Sequence, residues 1–248
     1  IGINAPFGLT TEYPEGWIGR YHAIESTVKT YNVNPAVTYV VNNKWSIGAG
    51  LNIQYIEAVL SNKLDSKGVC LGVFTGALAP AQAAALCAAN GLGDVADASV
   101  DSEASMSGDD ISFGFNFGIN YQPMPELRFG LAYRSSVSHN LEGTADFELT
   151  SNLQNLFTAN SVPVFQDVSA TAGVDLPETL IFDVFYKASS DLSLSGGITW
   201  IRWQRFNQLL IDFDNSQPDS VTPENWTNAL RIAFGGDYQL SKEWTIRA

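Results

Sequence analysis

Ile111-Ser112-Phe113-Gly114-Phe115-Asn116-Phe117-Gly118-Ile119-Asn120-Tyr121 is the stretch that decides the fold. Every odd position is apolar, and every even one is Ser, Gly or Asn. Successive side chains of a strand point to opposite faces, so this segment has one wholly apolar face and one polar or small face. The alternation recurs. Trp45, Ile47, Leu51, Ile53 and Tyr55 share one face, as do Leu127, Phe129, Leu131 and Tyr133. Leu180, Phe182, Val184 and Tyr186 form another set, followed by Leu192, Leu194, Ile198 and Trp200, then Leu230, Ile232, Phe234 and Tyr238. The pattern predicts complete strands near 25–42, 45–62, 109–123, 127–147, 176–189, 192–213 and 225–240, with a cut strand at each end of the chain.

The connections between strands decide what kind of sheet this is. Short turns at Asn42-Asn43-Lys44, Pro123-Met124-Pro125-Glu126, Ser189-Ser190-Asp191 and Ser241-Lys242-Glu243 alternate with long segments near 9–24, 63–108, 148–175 and 214–224. A transmembrane up-and-down barrel has this rhythm, with short periplasmic turns and long outer loops, whereas a soluble sandwich mixes its connection lengths. Tyr39, Trp45, Tyr121, Phe129, Tyr186, Tyr238 and Trp244 all fall beside the short turns, where an interfacial aromatic girdle belongs. The fold expected is therefore all-β: an antiparallel up-and-down transmembrane β-barrel, with residues 1–248 as one partial barrel domain.

Composition agrees. Charged residues are only 16% of the 248 and hydrophobic ones 45%, which suits either a large buried core or an apolar exterior. A formal net charge of −13 argues against a nucleic-acid partner, since phosphate contacts need Lys and Arg. Catalysis finds no support: His22 and His139 stand in no motif, and His139 has the parity of a lipid-facing position. No metal-ligand spacing or phosphate loop is present, so no metal and no cofactor is implied. Cys70 and Cys87 lie in one predicted outer loop. They are a disulfide if that loop faces an oxidising compartment, and two free thiols otherwise.

Several stretches, in order along nearly the whole chain, resemble the FadL-type outer-membrane transporters of long-chain fatty acids and other hydrophobic compounds. They are Ala5-Pro-Phe-Gly-Leu-Thr-Thr-Glu-Tyr13, Arg20-Tyr-His-Ala-Ile-Glu-Ser26, Trp45-Ser-Ile-Gly-Ala-Gly-Leu-Asn52, Tyr133-Arg-Ser135, Leu176-Pro-Glu178, Arg231-Ile-Ala-Phe-Gly235 and Glu243-Trp-Thr-Ile-Arg247. The resemblance implies a fourteen-stranded barrel with an N-terminal hatch. About nine strands fall in this chain; the hatch and the last strands fall outside it. It implies a monomer in the outer membrane of a Gram-negative bacterium, surrounded by lipid and lipopolysaccharide. Such a barrel moves a long-chain fatty acid or other hydrophobic small molecule by passive diffusion. Uptake of aromatic or aliphatic hydrocarbons, or general porin diffusion, are the alternatives.

The resemblance also places sites. Pro6, Phe7 and Gly8 match an inward strand kink beside a lateral opening; without the resemblance they read as a strand ending in a turn. Phe74, Leu78, Leu86, Leu153, Leu156, Phe157, Val162 and Phe165, on the two longest loops, form either a ligand-capturing groove or the packing of a lid. Arg134, Glu178 and Arg231 have lumen-facing parity, where an Arg either meets a carboxylate ligand or pairs with lumen carboxylates. Asp94 to Asp110 carries six acidic residues and no basic one, as a solvated loop or a cation bridge to lipopolysaccharide would.

Overall fold

A computed structural model describes residues 1–92 and 100–248. Among these, one antiparallel sheet runs through β1 (Gly2–Asn4), β2 (Gly8–Glu12), β3 (Glu25–Asn34), β4 (Ala36–Val40), β5 (Trp45–Leu64), β6 (Ser102–Met124), β7 (Leu127–Arg134), β8 (Val137–Glu148), β9 (Val168–Leu176), β10 (Thr179–Lys187), β11 (Leu192–Ile201), β12 (Gln208–Phe213), β13 (Ser220–Pro223), β14 (Ala229–Gln239) and β15 (Thr245–Arg247). The sheet does not close on itself, as befits part of a barrel wall. Helices α1 (Ser66–Phe74), α2 (Pro80–Ala89) and α3 (Ser151–Ala159) sit in the two longest connections.

Three of the four short turns share one device. At Asn42, Ser189 and Ser241 a side-chain oxygen accepts hydrogen bonds from the N–H groups two and three residues on, at 2.8–3.2 Å. In each case the preceding residue's N–H reaches the carbonyl that closes the turn, at 2.9 Å. Asn and Ser do this well because a short polar side chain can imitate the backbone of a turn.

The strands are longer than a membrane requires. The β5–β6 ladder is unbroken from Trp45↔Tyr121 to Leu64↔Ser102, about 65 Å of strand. A tilted strand crosses the bilayer in about 9–11 residues. The outward apolar row stops where that length runs out, at Tyr55 on β5 and Ile111 on β6. On the turn side, Phe113 and Leu51 point outward, 71% and 61% exposed, while Asn52 and Gln54 point inward, 2% and 3% exposed.

On the loop side the polarity is inverted. The inner face becomes Ile56, Ala104, Leu141, Ala145, Phe147, Ala170, Leu176, Ile211 and Phe213, all buried. The outer face carries Glu57, Asp109 and Glu142, aligned on neighbouring strands, with Thr144, Asp146 and Glu148 above them. A charged exterior over an apolar interior is the arrangement of a wall standing in water.

Two spans make this inversion by reversing parity. Odd residues of β7 face outward, but after Ser135-Ser136 the odd residues of β8 are the buried ones. Even residues of β9 face inward, and after Pro177-Glu178 the even residues of β10 face outward. One shifted residue exchanges the two faces of a strand, so both junctions act as bulges. The expected uniform strand 127–147 is thus two segments of opposite facing, and His139 is a buried inward residue rather than a lipid-facing one. Other boundaries move too. β6 starts at Ser102 and β9 at Val168, inside segments expected to be loop, and 192–213 is interrupted by a 3-10 turn at Trp203–Arg205.

Candidate functional site

The kink expected at Pro6, Phe7 and Gly8 falls in the break between β1 and β2. Pro6 has no N–H to give to a ladder. Phe7 is held through the Thr30 side chain: its N–H donates to Thr30 Oγ1 at 2.9 Å, and that hydroxyl donates back to the Phe7 carbonyl at 2.6 Å. Gly8 then opens β2, paired with Lys29. The Phe7 ring points inward, packing near Leu176 and Ile56 and meeting Trp203 edge-on at 5.8 Å.

Beneath this level lies a polar lumen wall. Asn52 Oδ1 accepts from the amides of Asn32, Asn34 and Asn116 at 3.2–3.3 Å. Asn52 Nδ2 and Asn32 Oδ1 are left buried without a protein partner. Arg134 lines a cavity of about 520 Å³ with Asn34, Thr38, Asn116 and Thr179, and also the water-sized cavity behind it with Asn32, Asn52 and Gln54.

The charges pair differently from expectation. Neither Arg134 nor Arg231 has a carboxylate within salt-bridge distance among the described residues, so neither braces the lumen with an acidic partner. Arg231 lies on the inward side of β14, opposite Thr199, and is exposed. Glu178 is instead clamped by Arg202, whose Nη1 donates at 3.0 Å, and by Arg205 Nε. These two arginines come from the 3-10 interruption, which alternation alone did not reveal. Trp203, Phe206 and Trp226 cluster beside them, with ring centroids 4.9 and 5.1 Å apart.

The two long loops pack on each other. Phe74, Leu153, Leu156 and Phe157 are buried in one cluster, with Leu86, Val162 and Phe165 packed against it. Leu78 stands outside it, exposed. The Cys70–Cys87 disulfide ties α1 to α2 across a Cα–Cα distance of 6.2 Å. Pro80 opens α2, and Gly91 follows its end with φ +77°, a conformation suited to glycine. A cavity of about 330 Å³ remains along α3, between Leu149, Phe157, Val162 and Phe165. The cluster is buried between the two loops, and the cavity beside it has a mixed lining that also includes Gln154, Thr158 and Ser161.

Of the acidic run, Asp94 and Asp97 lie outside the described residues. The others sit at the start of β6 or on it, and three have partners: Asp101 with Arg20 at 2.6 Å, Glu103 with Lys63 at 2.7 Å, and Asp110 with His139 at 2.7 Å.

A lipid-facing apolar band, a polar lumen and a water-standing upper wall define the wall of an outer-membrane β-barrel. The comparisons with known proteins agree. The chain belongs to the family described as outer membrane protein transport protein (OMPP1/FadL/TodX), whose model matches residues 1–248. It is 27% identical to a long-chain fatty acid transport protein of Escherichia coli O6:H1, over 99% of this chain and 54% of that one. Among solved structures, a Pseudomonas aeruginosa FadL homologue superposes with a TM-score of 0.79 at 23% identity, covering 99% of this chain and 54% of that one. The Ralstonia pickettii toluene transporter TbuX gives 0.70 at 18% identity, with 99% and 62% covered. These two likenesses show the fold. The chain spans about half the length of the curated relative. Its family is one of outer-membrane transport proteins rather than enzymes.

Proposed function

We propose that the protein containing this chain carries amphiphilic hydrophobic compounds across the outer membrane by diffusion through its lumen, and that long-chain fatty acids suit it better than neutral hydrocarbons. The observation that carries the choice is Arg134. It is half-buried in the lumen without a carboxylate partner among the described residues, at the level where the inner wall turns from polar to apolar. A cation so placed offers a charge-assisted hydrogen bond to a carboxylate head, while Ile56, Leu141 and Leu176 accept the alkyl chain above it. Cargo first meets the cavity along α3 and leaves through the wall at the Pro6–Gly8 kink. The barrel acts as a monomer among lipid and lipopolysaccharide, without a cofactor.

The test compares binding of a long-chain fatty acid and of the alcohol of equal chain length to the full-length protein in detergent. Arg134→Gln should weaken the acid by about tenfold or more and leave the alcohol unchanged, since a hydrogen bond to a charged group contributes about 1.5–3 kcal/mol. Equal loss for both ligands would remove Arg134 as the head-group contact. Tighter binding of a neutral aromatic than of either would give the cargo class to hydrocarbons, and free ion conductance without ligand binding would make the protein a porin.

A further inference from the structure

The polar wall of the lumen holds two buried atoms that its own hydrogen bonds leave over. Asn52 Oδ1, on the inner face of β5, accepts from the amides of Asn32, Asn34 and Asn116 at 3.2–3.3 Å. Those three donors fix which end of the Asn52 amide is which, because a reversed amide would set N–H groups against all of them. Asn32 is fixed likewise, since its Nδ2 donates to Asn4 Oδ1 at 3.0 Å as well as to Asn52 Oδ1. What remains is one donor, Asn52 Nδ2, and one acceptor, Asn32 Oδ1. Their residues are 2% and 1% exposed, and neither atom has a partner among the described residues. Nearly all buried polar atoms of folded proteins are paired, with protein or with ordered water.

Both residues line one cavity of about 10 Å³, with Gln54 and Arg134 on its polar side and Phe7 and Leu176 on its apolar side. That is room for one water, and two to four polar partners are what a buried water needs. A carboxylate head is too large for the space, and the Arg134 guanidinium disfavours a cation there. Arg134 also lines the larger cavity of about 520 Å³. We propose that the small cavity is a binding site for one water, which accepts from Asn52 Nδ2 and from Arg134 and donates to Asn32 Oδ1. Gln54 offers a fourth partner.

The guanidinium is a planar fork whose N–H groups keep fixed directions relative to one another. Tying one of them to the Asn32–Asn52 wall through the water aims the others at the larger cavity, where two parallel N–H groups can meet a carboxylate. Asn32 and Asn52 are thus positioning residues. The water follows from the two orphaned atoms; its consequence for cargo rests on the reading of Arg134 as the head-group contact.

A crystal structure of the full-length protein, at a resolution that shows ordered water, tests the site. One water should lie about 2.7–3.2 Å from Asn52 Nδ2, Asn32 Oδ1 and an Arg134 nitrogen. An empty site, or direct contact among these three groups, overturns the proposal whatever the lumen carries. Asn52→Asp supplies the second readout. It keeps an oxygen for the three amides, removes the orphaned donor, and gives Arg134 an acidic partner across the cavity. Affinity for a long-chain fatty acid should fall several-fold, while affinity for the alcohol of equal length holds. Asn32→Leu, close to Asn in volume, should lose the water and show a smaller fall of the same kind. If Arg134→Gln is selective for the acid, equal losses for both ligands or no loss in Asn52→Asp would overturn the positioning role. If the water is present and Arg134→Gln weakens acid and alcohol alike, the head-group reading fails and the water site stands.

Discussion

The turn-side and loop-side halves of the wall use the same strands with opposite solvents. Below Tyr55 and Ile111, apolar residues face out and Asn, Ser and Gly face in; above them, carboxylates face out and Ile, Leu, Phe and Ala face in. The lower half is stabilised by lipid around it and by ladder hydrogen bonds that have no competitor in hydrocarbon. The upper half, standing in water, needs a hydrophobic core, and the lumen is the one place to put it. On the function proposed above, hydrophobic cargo would meet an apolar entrance made of the same residues that hold the outer wall together.

If the upper interior is a true core, truncation there should cost most. Ile56→Ala, at a fully buried inner position, is expected to destabilise the full-length protein by about 3–4 kcal/mol, measured by denaturant unfolding in vesicles. Ser46→Ala on the lower inner face should stay within about 0.5 kcal/mol. Equal costs would mean that the two interiors are not different in kind.

A charge on the exterior probes the other side of the comparison. Phe115→Arg places a cation in the lipid band and should cost about 2–3 kcal/mol. Thr144→Arg, on the exposed outer face of β8 near Glu142, should be neutral within about 0.5 kcal/mol. A large cost at both positions would put the upper wall in lipid and sink the reading of the inversion. The next effect is smaller. Ser189→Ala removes the acceptor of two turn N–H groups at 3.2 and 3.0 Å, and should cost about 0.5–1 kcal/mol while leaving the upper half untouched.

Alternation disclosed the lower half because every outward residue there is apolar and every turn carries its own Asn, Ser or Pro. It concealed the inversion at two junctions for a physical reason. From Leu127 to Phe147 the apolar residues keep odd parity throughout, yet Ser135-Ser136 turns those odd positions from lipid to lumen. The even series from Ala170 through Leu176 to Tyr186 behaves alike across Pro177-Glu178. A pattern records which residues are apolar, and only the bulge decides which solvent they avoid. The same limit hid His139 and the Glu178–Arg202–Arg205 clamp, whose members are brought together by breaks in strands rather than by strand periodicity. The break at Pro6–Gly8 was legible because Pro and Gly announce one in their own chemistry, while its place beside a lateral opening came from the resemblance alone.

The smallest expected effect falls where the two halves meet. His139 is buried at the boundary, and two influences oppose there: burial disfavours its charged form, and Asp110 returns part of that cost. Burial prevails, so the folded pKa lies below the ordinary value of about 6.5 that the unfolded chain would show. In the interval between the two values the unfolded state binds more protons, and stability must fall as pH drops below about 6.5. Above that interval the ring is neutral in both states and contributes no slope. Unfolding of the full-length protein followed from about pH 8 down to about pH 5 should show this loss, and His139→Gln should remove it while the slope from the carboxylates remains. If wild type and variant trace the same curve, Asp110 offsets the whole effect of burial, and the boundary between the halves is wetter than its packing implies.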